Sequence, residues 1–83
     1  MYTEKQREIL ISLSNILEAK EDIVRNAIYA ENNDNYKKQY IKMKDEASVN
    51  LQINLVRFAD AIEVSRNEMP GVYPEYFDYN LGN

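Results

Sequence analysis

The 83-residue chain contains no cysteine, no histidine and no tryptophan, and only two glycines and two prolines. Without thiols or imidazoles the sequence offers no zinc finger, no iron–sulfur ligation, no thiol nucleophile and no imidazole general base. The glycines stand at Gly71 and Gly82, so no Gly-rich phosphate loop can form. No apolar run approaches the roughly 20 residues that a bilayer-spanning helix needs. Residues 1–8 mix acids with bases, and Ser12, Ser14, Asn15 and Glu18 interrupt the apolar residues that follow, so this stretch does not read as a signal peptide. The lack of cysteine fits a reducing compartment, and the cytoplasm is the expected location.

What is present reads as a folded domain. Hydrophobic residues make up 45% and charged residues 29%, too apolar a mixture for a disordered chain. Fourteen acids against ten bases give a net charge of -4, which argues against binding nucleic acid or an anionic membrane with the domain as a whole. The length allows one thin domain. Asn, Ile, Lys and Tyr, all encoded by A/T-rich codons, are abundant, which points to an AT-rich bacterial or phage genome.

Nothing between Thr3 and Met69 obliges the backbone to turn except Asn32-Asn33-Asp34-Asn35, whose side chains bond nearby backbone and tolerate left-handed conformations. The spacing therefore predicts a helical hairpin over residues 1–69: helix 1 over about 3–31, a turn at 32–35 and helix 2 over about 35–68. A non-helical tail should occupy 70–83. Thr3 with Gln6 has the form of a capping box. Ile9, Ile16 and Ile23 are seven apart, as are Leu10, Leu17 and Val24, a helical period that no strand produces. In helix 2 the main stripe is Tyr36, Tyr40, Ala47, Leu51, Leu55, Phe58 and Ile62, extending to Met69, and Pro70-Gly71 should end it. The alternation Val49-Asn50-Leu51-Gln52-Ile53 resembles a strand, but no turn residue separates it from its helical flanks.

Antiparallel closure sets Leu10 against Phe58, Leu13 against Leu55 and Leu17 against Leu51, with Lys20 as a snorkelling lysine opposite Ser48. Helix 2 carries a second stripe, Val49, Ile53, Val56 and Val64, which helix 1 cannot cover from its own side. It is the expected oligomer or partner interface. The expected fold is all-α, an antiparallel two-helix hairpin pairing as a homodimer or higher oligomer into a four-helix bundle. Tyr73, Tyr76, Phe77 and Tyr79 give the tail aromatic bulk for packing on its own helices or on a partner. Lys37, Lys38, Lys42 and Lys44 form a local basic run that could contact an anion.

The acidic pairs Glu18/Glu21 and Asp60/Glu63 have metal-ligand spacing, yet the hairpin register places them several turns apart, with Asp60 and Glu63 near Glu8 and Lys5. No metal, cofactor or catalytic residue is expected. The layout resembles the small helical-hairpin proteins of type VII secretion systems in architecture only. Their turn motif Trp-x-Gly is absent, and Tyr73 and Tyr79 are followed by Phe77 and Asn83 where the tail signal wants an acid. The sequence thus predicts a small non-enzymatic protein–protein interaction module, such as a regulator, inhibitor, immunity factor or adaptor. The alternatives are a nucleic-acid accessory protein using the lysine run and a purely self-assembling unit.

Overall fold

Thr3 starts the first helix by reciprocal capping. Its Oγ1 accepts from the Gln6 N–H at 3.1 Å, and Gln6 Oε1 accepts from the Thr3 N–H at 2.8 Å. This helix, α1, spans Glu4–Asn32 in a computed structural model that describes residues 1–73. At its far end Asn32 Nδ2 donates to the Ile28 carbonyl at 3.0 Å, Asn33 is extended, and a 3-10 turn over Asp34–Tyr36 leads into α2, Lys37–Ala61. The described residues contain no strand, and the alternating residues 49–53 lie within α2.

The two helices pack antiparallel in the expected register. Lys5 Nζ lies 3.8 Å from Glu63, Asn15 Nδ2 donates to Asn54 Oδ1 at 3.1 Å, and the Tyr29 and Tyr40 rings meet at 5.3 Å. The inward face of α1, however, differs from the one its largest side chains suggest. Ser12, Ile16, Ala19, Asn26 and Ala30 are buried, while Leu10, Leu13, Leu17, Val24 and Ile28 stay exposed. Lys20 is exposed as well and does not lie in the seam.

The physical reason is that α1 carries a wider aliphatic arc than one partner helix can cover. The half beside Ile16 and Ile23 borders a row of small residues, Ser12, Ala19 and Asn26, which lets the backbones approach. Ala47, Asn54 and Ala59 are buried small residues of α2, the first two seven apart. Polar members of the seam satisfy themselves locally: Ser12 Oγ donates to the Glu8 carbonyl at 2.6 Å and Asn26 Nδ2 to the Asp22 carbonyl at 2.8 Å. No buried side-chain nitrogen or oxygen among the described residues lacks a partner.

Helix α2 ends at Ala61, well before the Pro70-Gly71 stop expected from the sequence. Glu63 adopts φ 61°, its N–H donates to the Asp60 carbonyl at 3.2 Å, and the Val64 N–H donates to the Ala59 carbonyl at 2.9 Å. These are the two bonds of a Schellman cap, made here with glutamate in the left-handed position that glycine usually fills. The chain then doubles back along α2 through a 3-10 turn, Arg66–Glu68. Gly71, at φ +85°, lies against Leu55, with which any Cβ there would make ordinary contact at 3.5 Å. Leu55 thus packs under this returning strap.

Candidate functional site

None of the four residues expected to form an interface, three of them in α2 and Val64 just beyond it, is exposed. Val56 is buried at 5% relative accessibility, and Val49, Ile53 and Val64 are half-buried. The longest uncovered aliphatic stripe lies on α1 instead, although Ile41 and Met43 of α2 are exposed as well. Leu10, Leu13, Leu17, Val24 and Ile28 follow one another at helical spacing, and their exposure runs from 39% at Leu13 to 67% at Leu17. At about 100° per residue they share one side of the helix, turned away from the seam of Ser12, Ala19 and Asn26. Isolated exposed aliphatics are commonplace, but five in register along one helix form a patch of the kind that marks an interaction surface.

The charges around this stripe are few. Lys20 and Glu21 occupy the gap between Leu17 and Val24. Glu21 is engaged by Arg25 at 2.7 Å, and Arg25 also reaches Asp22 at 3.1 Å. Lys20 forms no ion pair with any described residue.

The other side of the hairpin is polar. A groove there is lined by Asn15, Glu18, Asp22, Asn50 and Asn54. At the open end Arg57 Nη2 donates to both carboxylate oxygens of Glu8, at 3.2 and 3.0 Å, clamping α2 to α1. Asp60 pairs with Arg66 at 3.2 Å and Glu63 with Lys5, so this acidic pair is engaged by bases near Glu8 and Lys5, where the register places it. Among the described residues no three carboxylate, histidine or cysteine side chains gather as a metal site would require.

The basic run divides between two sides of α2. Lys37 and Lys44 are seven apart and share one, Lys38 and Lys42 are four apart and share another; all are exposed except half-buried Lys44. Tyr73 is exposed at 55%, although its backbone N–H is held by Gln52. Tyr76, Phe77 and Tyr79 lie outside the described residues.

What sequence reasoning missed is Gln52, the residue that fixes the strap. It is buried, its Nε2 donates to the Gly71 carbonyl at 2.7 Å, and its Oε1 accepts from the Tyr73 N–H at 3.0 Å. The one signal available was a glutamine set between Leu51 and Ile53, too common a pattern to single out. No described helix is long and apolar enough to cross a membrane. Comparison with family models, curated proteins and solved structures finds no match to this chain.

Proposed function

We propose that this chain is a small, non-enzymatic protein–protein interaction module that acts as a self-associating helical hairpin in the cytoplasm, with the outer face of α1 as its contact surface. The observation that supports this reading is the stripe Leu10, Leu13, Leu17, Val24 and Ile28, left open by a hairpin whose own seam is already filled with small residues. Completing the burial of a half-exposed aliphatic side chain contributes on the order of 1 kcal/mol. Two such faces together contribute roughly 10 kcal/mol, within the ~4–15 kcal/mol range that association costs, which favours a modest, concentration-dependent contact. A homodimer is the simplest closed form. A regulator, inhibitor, immunity factor or adaptor could use the same face to bind a different protein.

Light scattering over a wide concentration range, together with the thermal midpoint at each concentration, tests the reading. The expected result is a mass above that of one chain and a midpoint that rises with concentration, because association stabilises only the folded state. A single-chain mass and an unchanging midpoint throughout would overturn it.

A further inference from the structure

We infer that the occupant of the α1 outer face is a second copy of this chain running parallel to the first, and that Lys20 of each copy pairs with Glu21 of the other. This rests on the reading of that face as the contact surface. It adds the orientation of the two chains and the charges that select it.

The geometry starts from two neighbours in sequence. Successive residues stand about 100° apart around a helix, so Lys20 and Glu21 fall on opposite edges of the aliphatic stripe. Lys20, seven residues after Leu13 and four before Val24, borders the edge nearer the seam. Glu21, four after Leu17 and seven before Ile28, borders the edge farther from it. Both side chains are exposed. Lys20 has no ion-pair partner among the described residues. Glu21 meets Arg25 at 2.7 Å, but this is an exposed pair on adjacent turns, which contributes little and leaves the carboxylate accessible.

The stripe runs from Leu10 to Ile28, so Ala19 marks its midpoint and the two charges sit beside it. Two copies related by a twofold axis overlay their stripes in full either antiparallel or parallel. In the antiparallel pair each edge meets the same edge of the other copy. Lys20 then faces Lys20, about 3 Å away along the axis, and Glu21 faces Glu21. Like charges so placed oppose association. In the parallel pair each edge meets the opposite edge, and Lys20 faces Glu21 of the second copy twice by symmetry, about 1.5 Å apart along the axis. Leu10, Leu17 and Val24 align with their own copies at the seven-residue spacing of a parallel coiled-coil seam. Because α1 already lies antiparallel to α2, the helix dipoles of each hairpin largely cancel and oppose parallel pairing only weakly.

The chain has no cysteine, so introduced thiols report without background. Full-length Val24→Cys is oxidised alone and as an equal mixture with Leu13→Cys. Parallel pairing brings the two Val24 positions together and holds Leu13 about 16 Å along the axis from Val24 of the other copy. Antiparallel pairing brings Leu13 to Val24 and holds the two Val24 positions about 15 Å apart, beyond the roughly 7 Å between Cα atoms that a disulfide spans. The expected result is a Val24–Val24 disulfide between chains that forms at least tenfold faster than the Leu13–Val24 disulfide. Light scattering then reads the charges. Glu21→Lys should weaken self-association about tenfold although it lowers the net negative charge, and Lys20→Glu/Glu21→Lys should restore it to within about threefold of wild type. Equal disulfide rates, a dominant Leu13–Val24 disulfide, a Glu21→Lys variant as tight as wild type, or an exchanged pair that restores nothing would overturn the parallel pairing. With the wild type still self-associating, any of these leaves the proposed function standing. A wild type that stays a single chain throughout overturns both.

Discussion

Gln52 grips the returning backbone on both sides of Val72, donating to the Gly71 carbonyl at 2.7 Å and accepting from the Tyr73 N–H at 3.0 Å. One buried amide thereby does for the strap what a neighbouring strand does for a sheet edge, satisfying a donor and an acceptor at once. Replacing it with leucine keeps the volume and removes both bonds. Gln52→Leu should lower stability by about 1–3 kcal/mol in urea unfolding and speed amide exchange at Tyr73 with little effect on the middle of α1. Unchanged exchange at Tyr73 would show that the strap is held by something else.

Among the described residues two sit in the left-handed region, and their substitutions should act with opposite signs. Glu63 is at φ 61° and 81% side-chain exposed, so its 3.8 Å pair with Lys5 contributes little. Glu63→Gly should raise stability by about 0.5–1 kcal/mol by removing the cost of a side chain in that conformation. Gly71, at φ +85°, should lose about 1 kcal/mol on substitution by alanine; a Cβ there meets Leu55 only at ordinary contact distance, so the loss is conformational. Thermal unfolding of the two variants beside wild type checks both signs.

The orientation of α1 makes a third contrast. Ala19 is 5% exposed in the seam, so Ala19→Leu should force the helices apart and cost about 1–3 kcal/mol. Leu17→Ala, on the outer face, should change the stability of a single chain by no more than about 0.5 kcal/mol. Chemical denaturation at low concentration, where association is minimal, measures both. Similar losses at the two positions would mean that the seam has been assigned to the wrong side.

Much of the hairpin was legible because its signals are local or periodic. Thr3 and Gln6 declare the start of α1, the Asn-rich turn declares its end, and the heptad recurrence of Ile9, Ile16 and Ile23 declares a helix. The register followed from matching two helices across a short turn, and the Asn15–Asn54 bond obeys it. The inward face of α1 was not legible in the same way. Hydropathy weights Leu10, Leu17 and Val24 heavily and gives Ser12, Ala19 and Asn26 almost no weight, yet close helix packing selects for small side chains. The end of α2 was hidden for a related reason. A glutamate in a left-handed cap carries no sequence mark, and Pro70-Gly71 downstream offered a more conspicuous stop. The strap that follows depends on one glutamine meeting backbone far along the chain, a contact no local pattern announces.

Light scattering of Leu17→Asp beside Ile53→Asp, each with helicity checked by circular dichroism, tests most directly the proposal that the contact surface lies on α1 and not on α2. A charge at Leu17 should leave the hairpin helical and reduce it to a single chain, whereas Ile53→Asp should self-associate as the wild type does, with some loss of stability from its half-buried site. A helical Leu17→Asp that keeps the wild-type mass, or an Ile53→Asp that alone becomes monomeric, would contradict it.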